Sequence, residues 1–363
     1  MKYVDEYRNE KLILKAAAKI KDIPINRNIN IMEVCGTHTQ SFFRFGLHSL
    51  MPSNIRLISG PGCPVCVSTQ EYIDKAIIYA ARSEVIITTF GDMLRVPGSS
   101  STLERERANR GNVVVVYSPL ESIEIAKNNP DKKVIFLAVG FETTIPTVAL
   151  TIMNAKKKRI NNLYFLCSLK LMPPAMEFLL ADKRLKLDGF LCPGHVSSII
   201  GSRPYKFIPR KYKIGCCIVG FEPLDLMEGV YLLARQISAS SPKVDNQYSR
   251  VVKENGNILA KKIIMKVFNV CDASWRGLGS IADSGLRLKK SFASFDADRM
   301  IPVKVQTKAV SHLNRCRCGE VLKGIIIPTQ CPLFMKSCTP LKPIGPCMVS
   351  SEGACNAYYK YHR

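Results

Sequence analysis

No apolar run in this 363-residue sequence approaches the roughly 18 residues that a membrane-spanning helix requires, so no membrane partner is expected. The first 21 residues mix Glu and Lys throughout. Lys15 ends the one apolar patch there, Leu12-Ile13-Leu14, which argues against a secretory leader and sets a cytoplasmic expectation. Acids are scarce: 29 Asp and Glu face 52 Lys and Arg, leaving a formal charge of +23. Such a surplus suits nucleic acid, yet the cations are scattered. Lys156-Lys157-Lys158-Arg159 is the one dense run, at an expected helix C-terminus, and no arginine stripe interleaved with aromatics accompanies it. Nucleic acid is therefore not expected, and the charge reads as a solvated basic surface with an acidic protein as the alternative partner. At 47% hydrophobic and 22% charged residues, the chain is globular and long enough for two or three domains.

Cysteine is what the sequence has in plenty. Fourteen cysteines without an export signal do not read as a disulfide framework, because the cytosol keeps thiols reduced. Metal ligation or redox chemistry is the expectation. Three lie between Cys35 and Cys66, and six between Cys316 and Cys355.

From residue 31 to about 237 one unit repeats: a short apolar run, a Gly- or Pro-containing turn, then an amphipathic stretch. The runs are Ile31–Cys35, Ile55–Ser59, Val85–Thr89, Val113–Tyr117, Val134–Val139, Leu163–Cys167, Gly189–Cys192 and Cys216–Val219. Strands alternating with helices predict an α/β fold with doubly wound parallel sheets, whose ligands sit beyond the carboxyl ends of the strands. Val139-Gly140-Phe141-Glu142 recurs as Val219-Gly220-Phe221-Glu222, which suggests two facing α/β domains, placed at 31–155 and 156–240. Ser238 to Pro242 reads as a linker, and residues 258 to 268 as a helix. The third unit, 241–363 with 1–30, shows no further strand periodicity and is expected to be irregular or helical, leaning on a metal site for its core.

Almost every strand end carries a conspicuous turn. Cys35-Gly-Thr-His-Thr39 places a thiol before a helix N-terminus, where free N–H groups favour thiolate, with His38 three residues on; a buried structural cysteine is the plain alternative. Cys63-Pro-Val-Cys66 has the spacing of a redox dithiol, or of half a zinc site. Glu142 and Glu222 offer carboxylates, and each also suits the first turn of a helix as a dipole partner, the role favoured for Glu222. His195, beside Cys192, is a candidate ligand, proton relay or capping residue. In the tail, Cys316, Cys318, Cys331, Cys338, Cys347 and Cys355 are widely spaced among Gly and Pro. Structural zinc favours paired knuckles, so this spread favours an iron–sulfur cluster over zinc without selecting four of the six.

Together these strings resemble the HypD family of hydrogenase maturation proteins, over residues from about 30 to 360. The resemblance rests on Met32-Glu-Val-Cys-Gly-Thr-His-Thr39, Ser59-Gly-Pro-Gly-Cys-Pro-Val-Cys-Val67, Gly140-Phe-Glu-Thr-Thr144, Cys192-Pro-Gly-His-Val196, Gly220-Phe-Glu-Pro-Leu-Asp225, Trp275-Arg-Gly-Leu-Gly279 and the cysteine-rich tail. It implies two α/β domains around a cleft and a third domain with a [4Fe-4S] cluster on Cys318, Cys331, Cys338 and Cys355. It also implies a scaffold for the Fe(CN)2CO group of [NiFe] hydrogenase rather than an ordinary turnover enzyme. There Cys35 binds Fe(II) with a small HypC-type partner, and Cys63 and Cys66 pass electrons. A HypE-type partner delivers cyanide, and the hydrogenase large subunit is served indirectly. His38, His195 and Glu142 complete the expected site. Two departures show: Leu169-Lys170-Leu171 stands where the family has His-Lys-Leu, and Met335 where Gly is usual, which strains the loop before Cys338. The competing readings are a general thiol–disulfide oxidoreductase with an iron–sulfur electron source, and an interaction module stabilised by zinc.

Overall fold

The computed structural model describes residues 5–109, 111–182, 184–305 and 316–361. Strands β1 (Ile29–Glu33), β2 (Ile55–Ser59), β3 (Val85–Thr89), β4 (Asn112–Val115), β5 (Lys133–Gly140), β6 (Leu163–Leu169), β7 (Gly189–Pro193), β8 (Gly215–Val219) and β9 (Val244–Asn246) form two sheets. The first has order β2-β1-β7-β8-β9 and the second β4-β3-β5-β6, all parallel. Near-continuous burial of β3, β5, β7 and β8 is what strands covered on both faces require. The α/β class and parallel sheets read from the alternation are thus present.

Sheet membership departs from the expected split. The first sheet takes β1 and β2 from before the second sheet and β7 to β9 from after it, and position 155 falls inside a helix, Ile145–Lys157. Nor is 238–242 a linker between units: it is the turn from the helix Pro223–Ser238 into β9, which pairs with β8. One continuous apolar core, containing Met32, Tyr72, Leu137 and Cys216, joins both sheets.

The covering helices begin with α1 (Glu10–Lys21), which packs on the Pro223–Ser238 helix through Ile13, Ala17 and Ile20. Then come α2 (Gly36–Arg44), α3 (Gln70–Ala80), α4 (Leu103–Ala108), α5 (Glu121–Asn128), α6 (Ile145–Lys157), α7 (Met172–Ala181), α8 (Gly194–Ile200), α9 (Pro223–Ser238) and α10 (Ile258–Val267). The basic run after α6 does lie at a helix C-terminus, with Lys156 bonded to the Ser291 carbonyl at 2.8 Å. Beyond α10 the structure adds what periodicity did not reveal, an antiparallel hairpin of β10 (Phe268–Trp275) and β11 (Gly279–Leu288). Most of β10 is exposed or half-buried, and only its ends, Phe268 and Trp275, are buried, so no alternation marks it. The tail then folds through short helices, including Cys318–Leu322 and Ala354–Tyr361, the latter lying on α2. Met335 has φ of 59°, the left-handed conformation that glycine adopts most readily.

Candidate functional site

Because β2, β1, β7 and β8 are neighbours in one parallel sheet, their carboxyl ends bring the turns after Ser59, Glu33, Pro193 and Val219 side by side. Cys35 is the N-cap of α2, extended at φ −149° and ψ 122°. It is fully buried, and burial pushes its thiol up to about 12, with the Glu352 carboxylate adding to the rise. The backbone N–H groups of Thr37 and His38 and the Thr37 hydroxyl act in the opposite sense, as a helix N-terminus should.

The Cys-x-x-Cys turn is pressed against this thiol's backbone. A Cβ on Gly62 would lie 2.3–2.5 Å from Cys35 backbone atoms, so only glycine fits, and the Gly62 carbonyl accepts the Gly36 N–H at 3.1 Å. Four residues on, Cys66 N–H donates to Cys63 Sγ at 3.3 Å. Both thiols are buried, and burial followed by the neighbouring Cys347 and Cys63 thiols raises Cys66.

His38 is buried beneath the β8 turn. Its Nε2–H donates to the Val219 carbonyl at 3.3 Å, which leaves Nδ1 as a buried lone pair without a partner. His195, opening α8, stacks on Phe221 (5.2 Å, 11°), and His38 packs on the same ring at 5.3 Å. Burial lowers His38 to about 3, with His195 contributing, and lowers His195 to about 4, so both are neutral at pH 7. Beneath Cys35, the Thr39 hydroxyl donates to Glu33 at 2.6 Å, and burial raises that carboxyl to about 8.

Glu142 lies apart, at the end of β5 in the second sheet. Its Oε1 accepts the Met172 N–H at 2.9 Å, Oε2 is buried without a partner, and burial raises the acid to about 7. It hydrogen-bonds the Met172 backbone rather than Cys35 or a histidine. Glu222 takes the plain role expected of it, capping α9 in a reciprocal box with Asp225 and pairing with Arg8.

The six tail cysteines line a single pocket with Leu333, Phe334 and Met348 and with no histidine or carboxylate. Among the described residues no three His, Cys, Asp or Glu side chains are close enough to hold one metal ion. All-thiolate donors are what a four-iron cluster takes, one thiolate on each iron. An all-sulfur, apolar pocket suits such a cluster.

Three contributors were not singled out from sequence. Cys347, one thiol among six, stands beside Cys66. Glu352 accepts the Thr37 hydroxyl at 2.7 Å and abuts Gly36. Phe221 holds both imidazoles. The repeated Gly-Phe-Glu string was the available signal for Phe221; nothing in the spacing marked the other two.

Comparison with known proteins identifies the family. The family model HypD, described as the hydrogenase formation hypA family, matches residues 11–362. The hydrogenase maturation factor HypD of Escherichia coli K12 is 43% identical over 370 residues, covering 100% of this chain and 99% of its own length. That of Azotobacter vinelandii is 43% identical over 371 residues, covering 100% and 97%. A putative hydrogenase expression/formation protein of Methanocaldococcus jannaschii is 42% identical over 353 residues, covering 97% and 98%. The chain belongs to the HypD family.

Proposed function

We propose that this chain is a maturation scaffold for [NiFe] hydrogenase, on which Cys35 holds Fe(II) while the Fe(CN)2CO group is assembled. A HypC-type protein supplies the second hold on the iron, a HypE-type protein brings cyanide, and the hydrogenase large subunit receives the product. The observation that carries the reading is continuity: the Cys35 turn packs on Gly62, Cys66 adjoins Cys347, and Cys347 lines the six-thiol pocket.

The chemistry follows from the residues. A thiol held near 12 stays protonated until a cation arrives, and ligation then releases its proton. The α2 N-terminus stabilises the resulting thiolate. Neutral His38 and His195 add no positive charge to oppose a metal cation, and the unpartnered Nδ1 of His38 is available to accept a hydrogen bond from a group bound there. Cys63 and Cys66 give up two electrons and two protons on closing to a disulfide. Cys318, Cys331, Cys338 and Cys355 would hold a [4Fe-4S] cluster, which when bound supplies single electrons at low potential. Cys66 is 0%, Cys63 3% and Cys35 1% exposed, so the dithiol is shielded to the same degree as the thiol it would serve.

Anaerobically prepared protein is expected to carry about four cluster irons with matching sulfide. Hydrogenase maturation in a strain lacking its own HypD should be restored by the wild type and lost with Cys35→Ala. Restoration by the alanine variant would remove Cys35 from the role.

A further inference from the structure

The excess positive charge finds no use in the site above, but it acquires one where the cysteine pocket meets the surface. Between residues 321 and 349 there is no Asp or Glu. Nearby Glu320 is paired with Arg317, and Glu352 turns inward to Thr37. The chain from Cys331 to Cys347 supplies much of the pocket's lining, and Cys331 itself is only half-buried. On this stretch Met335 is 61% and Leu341 96% exposed. Lys336 and Lys342, each one residue from these apolar tips, are exposed and in no ion pair among the described residues. Exposed Arg95 reaches the same loop, its Nη1 lying 3.4 Å from the Pro340 carbonyl. A small apolar centre with a cationic rim fits a transient partner of opposite charge, and redox encounters use interfaces of this modest kind.

We propose that this loop, centred on Met335 and Leu341 and rimmed by Lys336, Lys342 and Arg95, docks an acidic one-electron carrier protein that reduces the cluster. The proposal rests on the cluster reading above. One electron leaves the reduced carrier, which is oxidised, and enters the oxidised cluster; no bond forms or breaks. Two such transfers, with two protons, match reduction of a Cys63–Cys66 disulfide. The loop is suited to this because Cys338, a pocket thiol, lies between its exposed tips Met335 and Leu341.

The test uses full-chain protein loaded with its cluster and reduced plant-type [2Fe-2S] ferredoxin as the acidic probe. In stopped-flow, the wild type should be reduced on the order of tenfold faster than Lys336→Glu/Lys342→Glu, with the advantage fading as salt rises. Lys336→Arg/Lys342→Arg should keep the wild-type rate. Dithionite, which needs no docking, should reduce all three alike. Equal rates with ferredoxin, or an equal slowing with dithionite, would overturn the docking surface alone. A wild type that takes up no iron and sulfide would overturn the cluster reading, and this proposal with it.

Discussion

The chain uses the string Val-Gly-Phe-Glu twice, and the two copies do opposite work. At 139–142 the strand ends in the second sheet, Phe141 is buried and stacks on Trp275 at 5.9 Å, and Glu142 is sealed from water. At 219–222 the strand ends in the first sheet, Phe221 is half-buried between two imidazoles, and Glu222 reaches out to cap α9 and meet Arg8. Local sequence sets the strand end and the turn in both. The partner across the gap decides whether the pair becomes core or site.

Several substitutions would sharpen or break this contrast. The largest effect is expected for Phe141→Ala, which empties a core position and should cost about 3–5 kcal/mol in denaturant unfolding. Phe221→Ala should cost clearly less while abolishing maturation, because it frees His38 and His195 rather than the core. Equal losses of stability would erase the distinction. Next comes Asp225→Ala. Its carboxylate is fully buried and held bidentately by Arg250 at 2.8 and 2.7 Å, under the ring faces of Tyr7 and Tyr248. Breaking such a pair costs about 3 kcal/mol, and Asp225→Asn should recover only part of it.

The two turns also differ in the sign of their pH dependence. Glu142, raised to about 7, favours its protonated form when folded, so its stability is full below about 4.5 and is lost as pH rises through 7. His38 and His195 are lowered to about 3 and 4, so theirs is full above about 6.5 and is lost as pH falls toward those values. Glu142→Gln should therefore raise the melting temperature at pH 8 and leave it unchanged at pH 4.5, moving the stability maximum upward. A uniform shift at both pH values would contradict the assignment. The smallest effect belongs to Glu222→Gln, which removes an exposed ion pair with Arg8 and should leave thermal melts at the level of ordinary surface changes.

How much was legible follows the same logic. Strand existence was readable because burial on both faces makes runs such as Val134–Val139 continuous, and the helix expected at 258–268 is α10, Ile258–Val267. Strand order was not, since a parallel sheet's pairing depends on crossovers and not on period; β1 therefore pairs with β7 across more than 150 residues. The β10–β11 hairpin was invisible because Asn269, Val270, Asp272 and Ser274 all face solvent. Helix α1 carries its apolar positions, Ile13, Ala17 and Ile20, at helical spacing, but lysines between them hide the stripe. Around the site, motif turns exposed Cys35, Cys63, Cys66 and His195, because glycine and proline mark strand ends. Cys347 and Glu352 come to the site from the far end of the chain, where only tertiary packing puts them near Cys66 and Thr37.

The central claim is that Cys35 holds iron carrying diatomic ligands. Infrared spectroscopy of the anaerobic protein prepared with the proposed HypC-type protein reads this directly. The stretching bands of iron-bound cyanide should be present in the wild type and absent from Cys35→Ala at equal protein and partner content. Unchanged bands in the alanine variant would place the iron elsewhere and contradict the account.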